Sequence, residues 1–291
     1  MFIGFLLLAV TGLIWTAVGI IFSKATQDNR DFTGFLLVSS AISAIAIWIT
    51  RTPVAAPPVE IWKTAAAIVP GAVLSLLGFW TLFVAMRKGS HALAWIFTQS
   101  AMIIPFVGGW MFFGNKAEWL NWSGMLLIAA ALVLVGRSKC GSDTNALAKS
   151  DGLKWSLIAM VLVGVSQLLT LLPGEIGIGA EALTWRLPLQ TVPALVVWGV
   201  VACFKKQFPL KVSIKQGIIY GLVVISGQVT LYMSIDQLGK YNLANIVYPV
   251  AINICIVLFT LFCAVWRKER ITVWSSIGVS LLVCGTALLF S

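Results

Sequence analysis

Amides and indoles recur at helical spacing inside sequence that is otherwise apolar enough for a membrane. Trp95 and Gln99 are four residues apart, as are Arg186 and Gln190, and as are Asn245, Pro249 and Asn253 in turn. A four-residue step stacks side chains on one face of a helix. Tyr248 lies close to the last of these stripes, Gln228 falls in the segment before it, and Trp15 and Gln167 stand in segments of their own. An amide buried in hydrocarbon without a partner is costly, so such groups either bond between helices or line a wet cavity. Taken one at a time they are accounted for by interhelical bonds. Taken together, Trp15, Trp95, Gln99, Gln167, Gln228, Asn245, Tyr248 and Asn253 point to a central polar and aromatic site. Amides donate and accept, and indoles stack on C–H faces, so the chemistry on offer is recognition of a small polar solute. Trp80 and Trp185 are further candidates for that stacking, whereas tryptophans near segment ends, such as Trp62, Trp119 and Trp266, read as interfacial anchors.

Catalysis has far less to work with. The one histidine, His91, has no acidic neighbour in sequence, and no cluster of His, Asp or Glu marks a water boundary. Cys140, Cys203, Cys255, Cys263 and Cys284 show neither metal nor disulfide spacing and read as small buried hydrophobes. No enzymatic activity, metal or cofactor is expected. A channel would want a filter sequence or a ring of subunits, and neither is visible.

The elements that must position these residues follow from composition. With 59% hydrophobic and 10% charged residues over 291 positions, and a mean hydropathy of +0.97, the chain is an all-α polytopic membrane protein. A span needs about 20 apolar residues. Such segments tile the chain at 2–23, 32–50, 62–86, 91–113, 119–137, 153–173, 180–204, 213–235, 241–266 and 272–290. The first follows Met1 with no basic n-region or cleavage site and reads as a retained span. The alternating pattern of a transmembrane β-barrel is absent.

Two stretches share one plan. Gly78, Thr81, Leu82 and Phe83 match Gly227, Thr230, Leu231 and Tyr232, and Leu93-Ala94 match Leu243-Ala244. That alignment sets Asn245 on Trp95 and Pro249 on Gln99; setting Gly164 on Gly12 places Gln167 on Trp15. The polar run 138–152 is the natural linker between a repeat at 1–137 and a second at 153–291. Five spans in each half, an odd number, put the second copy upside down, giving ten transmembrane helices as two inverted five-helix repeats working by alternating access. Both copies must then supply the site.

Basic residues set the orientation. The loops after the odd-numbered spans carry Lys24, Arg30, Arg87, Lys88, Arg137, Lys139 and others through Arg270, roughly threefold more than the opposite side, which places both termini outside the cytoplasm. The net charge of +10 is therefore a topology signal and not a nucleic-acid patch. Arg186 lies only about 8 Å from the start of its segment, at 1.5 Å per residue. Snorkelling, pairing with Glu175 or Glu181, and a substrate or gate role with Gln190 all stay open.

The ten-span tiling, the halves of five and the repeated helix units together resemble the drug/metabolite transporter superfamily, in its EamA-like carriers. Glu269 before Gly278 fits the acidic residue found in many of those proteins, whereas the first half has Asn115 before Gly124. The basic loops are similar to those of the rhamnose and glucose uptake branch. The resemblance implies a secondary transporter of a small polar metabolite in a bacterial inner membrane, with sugar uptake as the first reading and export of amino acids or amphipathic compounds as the alternative. In the export reading Arg186 would bind a substrate carboxylate. Proton or sodium coupling, facilitated or exchange transport, and monomer or homodimer all stay open, since every Asp and Glu falls at a span end or in a loop.

Overall fold

The computed structural model describes residues 1–28, 31–50, 53–89, 91–114, 118–138, 146–205, 209–241, 243–266, 268 and 273–288. Ordered structure among them is entirely helical. In chain order the helices are α1 (Phe2–Asp28), α2 (Phe32–Thr50), α3 (Pro58–Lys88), α4 (His91–Gln99), α5 (Ile103–Phe112), α6 (Trp119–Ser138), α7 (Ala146–Glu175), α8 (Ala180–Leu183), α9 (Arg186–Lys205), α10 (Lys211–Gly239), α11 (Val247–Val265) and α12 (Val273–Leu288). Short 3-10 turns, Ser100–Met102 and Ala244–Ile246, join α4 to α5 and lead into α11.

Among the described residues, eight helical stretches are long and apolar enough to cross a membrane, with shorter apolar stretches at Trp119–Ala131 in α6 and Ser276–Gly285 in α12. The polytopic membrane class therefore stands. Linker residues 139–145, Asn115, Glu269 and Asn242 lie outside the described residues.

Helix limits differ from the sequence reading for local reasons. α3 starts at Pro58, four residues earlier than expected, because proline at the first helical position has a preset φ and no N–H to satisfy. The Asp31 carboxylate caps α2 by accepting from Gly34 N at 2.8 Å, and also accepts from Leu210 N at 2.8 Å, fastening the approach to α10. The expected span at 91–113 is broken in two, and the break has a cause. Pro105 cannot bond the carbonyl of Ala101, and the 3-10 turn is centred on Ala101. Pro249 likewise leaves Asn245 at the centre of the second 3-10 turn, and Pro188 leaves Thr184 in the break between α8 and α9. Pro70 and Pro193 sit inside helices that continue through them, so a proline permits the break without compelling it.

Packing comes in matched pairs. α3 lies on α7 and α10 on α1; α3 lies on α9 and α10 on α2; the α4–α5 rod lies on α7 and α11 on α1; α2 meets α9 and α6 meets α12. Glycines carry the closest of these approaches, as small residues do between membrane helices. A Cβ on Gly12 would lie 2.9 Å from Ala251 O and 2.7 Å from Ile254 Cβ. One on Gly164 would lie 2.8 Å from Ala101 O and equally close to Ile104 Cβ.

Candidate functional site

The helix pairs enclose a central cavity of about 190 Å³. Several helices present one face to it, with lining residues at helical spacing: Ser39, Ser40 and Ser43 from α2, Ala72, Ser75, Leu76 and Phe79 from α3, Ser166, Gln167 and Thr170 from α7, Gln190, Thr191, Ala194 and Trp198 from α9, and Tyr220, Val224 and Gln228 from α10. α1 adds Trp15, α4 adds Trp95 and Gln99, and α11 adds Tyr248. Among the described residues lining the cavity, none is charged. Its polar groups are amides and hydroxyls, interleaved with aromatic rings, an arrangement that donates, accepts and stacks without fixing an ion.

Seven residues singled out from the sequence thus meet at one place: Trp15, Trp95, Gln99, Gln167, Gln190, Gln228 and Tyr248. Neighbours hold several of them. Trp95 Nε1 donates to Cys255 Sγ at 3.4 Å and Gln99 Nε2 lies 3.9 Å from the same sulfur. Cys255, read from the sequence as a small hydrophobe, is therefore also the acceptor that anchors the α4 stripe. Thr170 and Tyr248 share a hydrogen bond of 2.7 Å across α7 and α11, and the ring of Tyr248 lies 6.2 Å from that of Trp15. Below Trp15, Thr11 donates to Thr230 at 2.8 Å, tying α1 to α10.

The other expectations fall elsewhere. Asn253 is 3% exposed within α11 and is not on the cavity wall. The side chain of Asn245 lies outside the described residues. Trp80 is half-exposed and packs edge-on against Trp155, and Trp185 donates to Val54 O at 3.0 Å, so neither indole reaches the cavity.

Arg186 is also off the wall, and its partner is neither Glu175 nor Glu181. It is 4% exposed at the start of α9, donating from Nη2 to Asp236 Oδ1 at 2.7 Å and from Nε to Leu183 O at 3.1 Å. Its Cζ sits 4.5 Å from the centre of the Tyr232 ring. The phenol of Tyr232 in turn donates to Gln190 Oε1 at 3.2 Å, so a chain of contacts runs from a half-exposed carboxylate to the cavity wall. Across the break between α8 and α9, the guanidinium also reaches back to the Leu183 carbonyl.

Sequence reasoning missed the α2 serines, Thr170, Thr191, Trp198 and the second-layer Tyr232. The serines escaped because hydroxyls bond their own helix so readily that they carry little signal; Thr170, for example, also bonds Gln167 O. Trp198 had a usable signal, since it lies eight residues after Gln190 and so on the same face.

No curated protein matches the chain. Among solved structures, a crystal structure aligns with 97% of this chain and 98% of its own, with a TM-score of 0.59 at 14% identity, a likeness of fold alone. Residues 2–137, a little under half of the chain, match the model of the EamA-like transporter family.

Proposed function

We propose that the whole chain is a ten-span carrier of the EamA-like kind, which moves a small uncharged polar metabolite, a sugar or similar polyol, by alternating access around the central cavity. The observation that carries the choice of solute is the uncharged wall: amides, hydroxyls and rings face the cavity, while the nearby cation, Arg186, is committed to Asp236 and lies outside the lining. A solute bearing a net charge would leave that charge unpaired in a poorly solvated space. The volume is below the roughly 300–1,000 Å³ of sites for drug-sized ligands, which favours a small metabolite over an amphipathic drug.

The reading of two inverted repeats, 1–137 and 153–291 around the linker, is supported by the matched packing: α3 on α7 is answered by α10 on α1, α3 on α9 by α10 on α2, and the α4–α5 rod on α7 by α11 on α1. α6 and α12 then complete the ten spans. The basic loops support an inner-membrane orientation with both termini outside the cytoplasm and, like those of the rhamnose and glucose uptake branch, an import direction.

The test is a thermal-shift screen of the purified chain with D-glucose, L-rhamnose, glutamate and leucine, since a ligand of the folded state raises its apparent stability. Stabilisation by a neutral sugar that is lost in Gln228→Ala and Trp15→Ala is the expected result. Stabilisation only by the amino acids, abolished in Arg186→Met, would replace it with the exporter.

A further inference from the structure

The polar groups on the cavity wall are not equally available. Thr170 is engaged with Tyr248, Ser43 donates to Gly221 O at 3.0 Å, and Gln99 is turned toward Cys255. Gln190 and Gln167 differ from these in a complementary way. The oxygen of Gln190 is taken by the Tyr232 hydroxyl, and an amide so engaged presents its NH2 on the remaining side. Gln167 is 8% exposed, and its Oε1 has no hydrogen-bond partner among the described residues. A buried acceptor left unsatisfied is costly, and the terminal torsion of a glutamine is soft, so a donor arriving in the cavity can be met by a turn of that amide.

We propose that Tyr232 is a positioning residue that fixes Gln190 as a hydrogen-bond donor of the site, with Gln167 as its acceptor, so that the carrier selects solutes whose hydroxyl or amide groups both accept and donate. Tyr232 is itself buried and off the wall. Its ring is clamped by the Arg186 guanidinium, which Asp236 and the Leu183 carbonyl hold in place. The phenol therefore has little freedom to release Gln190. A hydroxyl meeting both glutamines is read twice. A fluoro or methoxy group at the same position keeps an acceptor and loses the donor, and a deoxy position loses both.

This inference rests on the uncharged-solute reading. It is tested by the affinities of D-glucose and its singly deoxy, fluoro and O-methyl derivatives for the full-length protein, in the wild type and in Tyr232→Phe, Gln190→Met and Gln167→Met. At one or more sugar positions the wild type should rank hydroxyl above fluoro or O-methyl, and these above deoxy. Gln167→Met should erase the first step and keep the second. Tyr232→Phe and Gln190→Met should each weaken D-glucose by roughly five- to tenfold, a hydrogen bond's worth, and flatten the fluoro-over-deoxy step. Equal weakening of all derivatives by Tyr232→Phe, with that step intact, would make the tyrosine merely structural and overturn the proposal while leaving the neutral-solute reading standing. Failure of D-glucose and every derivative to bind the wild type would overturn both.

Discussion

Gly12 approaches Ala251 so closely that a Cβ on the glycine would sit 2.9 Å from the alanine's carbonyl oxygen. Gly164 meets Ala101 in the same manner, at 2.8 Å, and the neighbours on the far helix are Ile254 and Ile104. The two contacts place Gly12 with Gly164 and Ala251 with Ala101, the offsets that the internal sequence alignment sets. Their consequence for the site is direct, because Trp15 and Gln167 each follow the packed glycine by three residues, and both reach the cavity.

Replacement of either glycine by alanine must push two helices apart. Gly12→Ala and Gly164→Ala are expected to cost about 1–3 kcal/mol each, the usual range for overpacking. Gly199→Ala, where nothing lies within 4 Å, should gain about 0.5–1 kcal/mol instead by relieving the flexibility of a mid-helix glycine. Thermal unfolding in detergent distinguishes the three, and equal effects at all positions would refute the close-approach account.

The Arg186–Asp236 pair is asymmetric, with side-chain exposures of 5% and 53%. Asp236→Asn strands a buried cation and should cost about 1.5–3 kcal/mol, the worth of a hydrogen bond to a charged group. Arg186→Met leaves only a solvated carboxylate and gives up the ring contact, about 0.5–2 kcal/mol. The asparagine variant should therefore unfold at the lower temperature; the opposite order would mean that Arg186 is retained for packing alone.

Thr170 and Tyr248 form one unit between α7 and α11. Thr170→Val and Tyr248→Phe should each cost about 1 kcal/mol, with the double variant barely worse than the single ones. A double-mutant cycle by thermal unfolding reads the coupling. Additive losses would show that the bond contributes nothing.

Pro105 and Pro249 each lie four residues beyond the centre of a 3-10 turn, at the joints of α4–α5 and α11. Pro105→Ala allows a bond to Ala101 that can straighten the rod, so the protein should become more heat-stable while, on the proposed carrier reading, solute uptake into proteoliposomes slows severalfold, as expected when a hinge is stiffened. Unchanged uptake in both Pro105→Ala and Pro249→Ala would remove the turns from the transport cycle.

Most of the helical layout was legible in the chain because spans are encoded locally: a run of apolar residues of bilayer length must satisfy its own backbone and so must be helical. The recurrence of Gly78, Thr81 and Leu82 as Gly227, Thr230 and Leu231 is likewise visible in the chain alone. The stripes at Trp95–Gln99 and Arg186–Gln190 could be assigned to faces, but a face has no address until its neighbour is known. Gln190 and Arg186 share a stripe, yet one lines the cavity and the other lies behind it.

What the sequence by itself determined was the class of protein, the approximate spans and the polar inventory, all consequences of composition and short-range spacing. Tertiary structure alone decided that Asp236 and not Glu175 or Glu181 neutralises Arg186, that Cys255 holds Trp95 and Gln99, and that Asn253 stays off the wall. Those outcomes depend on how helices distant in sequence rotate against one another, which is set by the close packing of small residues at their crossings and not by any one helix's own pattern.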